Sequence, residues 1–133
     1  LFDKNGNRCG YVSGQAFANQ FGISTQVPMV ITVVSNKATT KERRIRLAGR
    51  EIILRKPRYD VDEMNFRILQ LLDLILDIDI YCEVSYEEGR KRVAQYLQKW
   101  LLQFSYMEEY FSYYPIKLFK NLYEMGLLRG VPA

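Results

Sequence analysis

Histidine is absent from the 133 residues, and the only two cysteines, Cys9 and Cys82, lie far apart without a CxxC partner. Those absences exclude the usual Cys/His zinc sites and the Ser-His or Cys-His nucleophilic pairs, each of which needs an imidazole or further thiolates. Two separated cysteines in one domain also predict reduced, partly buried thiols rather than a Cys9–Cys82 disulfide. No run approaches the roughly 18–20 uncharged apolar residues of a membrane span, and the N-terminal stretch is polar rather than signal-like, which predicts a soluble, cytoplasmic protein without membrane contact. Neither a P-loop nor a GxGxxG turn occurs, so a nucleotide-binding loop has no support. A nuclease motif of the Asp…Glu-x-Lys kind is missing too, because Glu51 is followed by Ile52 and Ile53. Internal repeats, low-complexity tracts and linkers are lacking, and with 48% apolar residues the chain suffices for one core and is short for two. Residues 1–133 therefore read as a single domain, and a start on Leu1 rather than Met reads as a piece of something longer.

What is present is charge, unevenly spread. The net value of +4 conceals a basic block in which Lys37, Lys41, Arg43, Arg44, Arg46, Arg50, Arg55, Lys56 and Arg58 meet only Glu42 and Glu51. Directly after it, Asp60, Asp62, Glu63, Asp73, Asp77, Asp79, Glu83, Glu87 and Glu88 are opposed by Arg67 alone. Such a dipolar layout points to a cationic face aimed at an anionic partner rather than to uniform solubilisation.

Local patterns place that block on strands. Ser13 is positioned to cap a short helix through Phe21, which Gly22 would end. The β-branched run Met29–Val34 predicts a mostly buried strand. In Arg43–Leu47, Ile45 and Leu47 point one way and Arg44 and Arg46 the other, with the cations expected outermost. Ala48, Gly49 and Arg50 allow a tight turn, and a return strand from Glu51 to Lys56 puts Ile52 and Leu54 on one face before Pro57 stops it. The remainder reads as helices. One is capped by Asp60 or Asp62 and apolar on most of its circumference. A long one enters through the Ser85–Glu88 capping box and carries Val93, Leu97, Trp100, Leu101 and Phe104 as one stripe. A last one has Pro115 as its first residue and Gly126 at its end. Together these predict an α+β domain, a small antiparallel sheet of at least three strands packed against three to four helices.

Clustered guanidinium groups make bidentate contacts to phosphate or carboxylate and release counterions, so the basic hairpin predicts binding to DNA phosphate or to an acidic protein. Asp73 and Asp77, one helical turn apart, share a face and raise the question of a divalent ion. With no third ligand nearby, a solvated or salt-bridged edge is the favoured expectation, and no metal or other cofactor is called for. Tyr106, Tyr110, Tyr113, Tyr114 and Tyr123 fall at helical spacings beside Glu108 and Glu109, which favours packing over base stacking.

The order Gly10-Tyr11-Val12-Ser13-Gly14, Thr25-Gln26-Val27-Pro28, Ser35-Asn36-Lys37, Leu69-Gln70-Leu71-Leu72-Asp73 and Tyr114-Pro115 resembles the C-terminal domain of AbiEi-type abortive-infection antitoxins, of type IV toxin–antitoxin systems, and their transcriptional-regulator relatives. The resemblance implies a bacterial, non-catalytic regulator in phage defence, partnered by a nucleotidyltransferase-like toxin. It also implies a winged-helix DNA-binding domain upstream of Leu1, with this domain's basic residues either assisting at the operator or neutralising the toxin's effect.

Overall fold

A computed structural model describes residues 1–128 of the chain. Four strands form one sheet in the order β1-β2-β4-β3: β1 Gly10–Ser13, β2 Ile31–Ser35, β3 Glu42–Leu47 and β4 Arg50–Arg55. Helix α1, Gly14–Phe21, follows β1, and the rest of the described chain is helical: α2 Phe66–Leu76, α3 Ile78–Tyr81, α4 Tyr86–Lys99, α5 Phe104–Glu108 and α6 Ile116–Glu124. The α+β class is as expected. The single unit drawn over 1–133 runs past the described residues at 129–133.

The sheet is mixed rather than purely antiparallel, because β4 lies parallel to β2 while β1–β2 and β3–β4 are antiparallel. Composition explains which strand takes the centre. Ile52, Ile53 and Leu54 give β4 an apolar run suited to neighbours on both sides, whereas β3 carries four charges in six residues and belongs at an edge. The turn between them has positive φ at both central residues, Ala48 (52°) and Gly49 (76°). That is the primed geometry whose twist matches flanking strands.

The core gathers around α2, where Leu69, Leu71, Leu72 and Ile75 are completely buried. Helix α2 packs on β1 and on α6, and buried Asn121 of α6 donates to the carbonyls of Ile75 and Leu76, each at 2.9 Å. Those carbonyls lie in the last turn of α2, where the ladder leaves acceptors unmatched. The loop before α2 is held by Asn65, whose side chain donates to the Asp60 carbonyl, and by the Asp62 carboxylate, which accepts from the amides of Met64 and Asn65.

Helix ends follow their local chemistry. Ser85 accepts from the Glu88 amide at the start of α4, as the capping box predicts. Pro115 sits one position before α6 rather than inside it. Gly22 and Gly126 close α1 and α6 in left-handed conformations, with the Ile23 and Leu127 amides reaching back to Ala18 and Leu122. Helix α4 stops at Lys99 by the same device. The Leu102 amide bonds the Leu97 carbonyl, and Leu101 takes the left-handed slot with φ 55°. The expected stripe through Trp100, Leu101 and Phe104 is therefore broken: Leu101 is 86% exposed, and Phe104 belongs to α5. Among the described residues no helix is long and apolar enough to cross a membrane, and Cys9 and Cys82 are both free thiols.

Candidate functional site

Strand pairing assigns every hairpin side chain to a face. Residues directly opposite share a side, so Tyr11, Ser13, Thr32, Val34, Arg55, Ile53, Arg44 and Arg46 lie on one face, with Glu42 and Glu51. Val12, Ile31, Val33, Leu54, Ile52, Ile45 and Leu47 lie on the other, with Arg43 and Arg50. At the β1–β2 end the first face is buried under α2, as the burial of Tyr11, Ser13, Thr32 and Val34 records. The arginine-rich side is thus the helix side of the sheet, not its outer side. The expected outward orientation fails because alternation fixes which residues share a face and leaves open which face the later helices cover. The apolar side is the open one, with Leu47 62% exposed and no member fully buried.

The hairpin runs past the helices. Its two acids are both tied across the strands: Glu42 accepts from Arg55 at 2.8 Å, and Glu51 pairs with Arg44. Arg46, Arg43 and Lys41 are exposed, and Arg50 donates to the Pro28 carbonyl at 3.3 Å. Lys37 stands in the exposed turn after β2. Arg58 lies with its guanidinium 5.3 Å from the Tyr114 ring centroid. The structure therefore splits the nine predicted cations. Arg43, Arg44, Arg46 and Arg50 arm the ribbon, Lys41, Arg55, Lys56 and Arg58 gather at its base, and Lys37 stands apart.

That base is one wall of a cleft of about 840 Å3 between the sheet and helices α2 and α3. The facing wall holds Asp73, Asp77 and Tyr81. Asp77 pairs with Lys117 at 3.3 Å, as a salt-bridged edge predicts, but Asp73 does something else. It accepts hydrogen bonds from the hydroxyls of Tyr11 and Tyr114, the latter at 2.8 Å, and so ties β1, α2 and the entry to α6 together. Desolvation pushes its carboxyl up to about 6, against the opposing pull of the two tyrosine hydrogen bonds and of Arg58 and Arg55. Burial and the neighbouring carboxylate push the Tyr11 and Tyr114 hydroxyls far above their usual range, so both remain donors. Among the described residues no three His, Cys, Asp or Glu side chains converge as a metal site.

Part of the acidic block has structural work. Glu83 accepts from the hydroxyls of Ser24 and Thr25, Asp62 caps the turn before α2, and Asp79 joins Asp77 on Lys117. Of the tyrosines, Tyr110 and Tyr113 pack on Tyr59 with centroids 5.1 and 5.0 Å away and Tyr114 is buried, as the packing expectation has it, whereas Tyr106 and Tyr123 are exposed. Sequence reasoning did not find the Asp73–Tyr11–Tyr114 cluster. Its members are 62 and 41 positions apart, and the only local signal was an acid in a helix whose other residues, save Arg67 and Gln70, are apolar. No protein-family model, curated protein or solved structure matches this chain.

Proposed function

We propose that the β3–β4 hairpin is a nucleic-acid contact of a non-enzymatic regulatory domain, gripping the phosphates of duplex DNA. The observation that carries this is a two-stranded ribbon, six residues per strand, with arginines on both faces and its tip beyond the helices. Such a ribbon is about 20 Å long at ~3.3 Å per residue. A B-DNA major groove about 12 Å wide admits an element of that kind. Its cations would meet phosphate on either wall and release counterions. An antitoxin-type regulator of a bacterial toxin–antitoxin system, as the motif resemblance implies, is a setting in which a domain of this kind assists a winged helix at the operator.

Fluorescence anisotropy with duplex DNA across a salt series tests it. Replacing Arg44 and Arg46 with Glu should weaken binding at least about tenfold and make the dependence of log K on log salt shallower by about two contacts' worth. Unchanged affinity and slope would sink the proposal.

The open apolar face favours a second reading, in which the hairpin docks on a protein, with Arg43 and Arg50 meeting acids at the rim. Under it, Leu47→Asp abolishes a partner complex or a self-association seen by light scattering, while DNA affinity is unaffected.

A further inference from the structure

A second concavity, of about 430 Å3, lies between α1, the first turns of α2 and the C-terminal half of α4. That volume falls within the ~300–1,000 Å3 of small-molecule pockets. Its walls hold five aromatic rings, three cations and three carboxamides, and no acid. Rings and cations interleave. The guanidinium of Arg8 lies 3.8 Å from the Phe66 centroid, Arg67 lies 4.4 Å from Phe66 and 3.6 Å from Trp100, and the Lys99 Nζ is 5.2 Å from Trp100. Among the described residues Arg67 and Lys99 make no ion pair, while Arg92 stands 4.0 Å from the Glu88 carboxylate, one turn back on α4.

Three further details point to a ligand. The Nε of Arg92, at the same wall, is buried without a hydrogen-bond partner. Gln70 is engaged by the Val12 carbonyl and the Tyr96 hydroxyl, which leaves the exposed Gln20 and Gln95 to read an incoming polar edge. Trp100 stands 39% exposed at the lip.

We propose that this groove binds a nucleobase carrying a phosphate, the base stacking on Trp100 and Arg67 and the phosphate meeting Lys99 and Arg92. Aromatic faces and guanidinium planes stack on any base, and a phosphate at Lys99 and Arg92 would compete only with the single, 4.0 Å Glu88 contact, no acid lining the groove itself. An acidic peptide would use the cations and leave the rings idle. The same chemistry is offered by a free nucleotide and by an unstacked base of a single strand. The groove shares no residue with the hairpin.

Trp100 is the chain's single tryptophan, so its fluorescence reports on this groove alone. Titration of the full chain with AMP and with a short oligoadenylate should quench it saturably, whereas ribose 5-phosphate should not. Quenching by AMP assigns a free nucleotide, and quenching by the oligonucleotide only assigns a single strand. Lys99→Glu and Gln95→Glu, both at exposed positions, should each weaken the response about tenfold, as loss of a phosphate contact or introduction of a repelling charge requires, with unchanged thermal melting by circular dichroism. The Arg44→Glu/Arg46→Glu hairpin variant should keep it, so failure here and failure of duplex binding read separately. No saturable change with either ligand at millimolar concentration, an equal response to ribose 5-phosphate, or undiminished binding by both groove variants would overturn the proposal.

Discussion

One face of one sheet leads two lives. At the β1–β2 end, Tyr11, Ser13, Thr32 and Val34 are sealed beneath α2. Two strands further along, the same face continues as Arg55, Arg44 and Arg46, held apart by cross-strand pairs to Glu42 and Glu51 and open to solvent. The first half is stabilised by removal of apolar area from water, which scales with burial. The second half rests on backbone pairing and exposed ion pairs worth at most about 1 kcal/mol each. Stability is thereby concentrated at one end of a continuous set of hydrogen-bonded strands, so the ribbon can change its charges with little effect on folding.

The largest effect expected from that division is in side-chain truncation. Leu72→Ala, at a fully buried position of α2, should cost about 2–5 kcal/mol in urea unfolding, while Ile45→Ala on the ribbon should cost about 1 kcal/mol or less. Equal costs would mean that the ribbon is as covered as the core.

Next comes pH. Asp73 binds its proton more tightly when folded, its carboxyl being raised from 3.8 to about 6. Its contribution is therefore fully present below about pH 4 and is lost as pH rises through about 6. The change should be on the order of 1–3 kcal/mol, towards the lower figure because the residue borders the cleft. Asp73→Asn, retaining an acceptor for Tyr11 or Tyr114, should flatten the profile of stability between pH 4 and 6. A persisting slope would place the titrating group elsewhere.

Asn121→Ala should cost about 1–3 kcal/mol, since it strands two carbonyls of α2 in an apolar setting. The measurement is chemical denaturation, and a loss near zero would show that water reaches that helix end. The smallest shift should be a gain. Leu101→Gly relieves a left-handed leucine that is 86% exposed, and the melting temperature should rise by the equivalent of about 0.5–1 kcal/mol. A drop would indicate that the leucine side chain has a partner of its own.

Much of this division was legible in the residues. The alternation of Arg44 and Arg46 with Ile45 and Leu47, the apolar spacing of α2, Ser85 before α4 and the glycines after α1 and α6 all carry local signals, and those elements stand where their patterns place them. The unread parts are non-local. Strand β1 is four residues long and offers too short a pattern to separate from loop. The parallel seating of β4 beside β2 depends on which strand tolerates two neighbours. The side chosen by α2 depends on contacts made across dozens of positions, and so does the Asp73 cluster. The end of α4 was missed for a different reason: its stop signal is a leucine in a slot where glycine is the usual marker.

The outer edge of β3 has one more consequence. Among the described residues its backbone donors and acceptors have no neighbouring strand in the sheet order, and an unpaired edge is a template on which a second chain can add. Arg43, Arg44 and Arg46 guard it by mutual repulsion between approaching molecules, a guard that reaches only about one Debye length, ~10 Å at 0.1 M salt. Ionic strength therefore acts twice on the same residues. Under the proposed phosphate contact, salt that weakens it also lowers the barrier to edge-to-edge assembly, so colloidal stability and anion affinity should decline together.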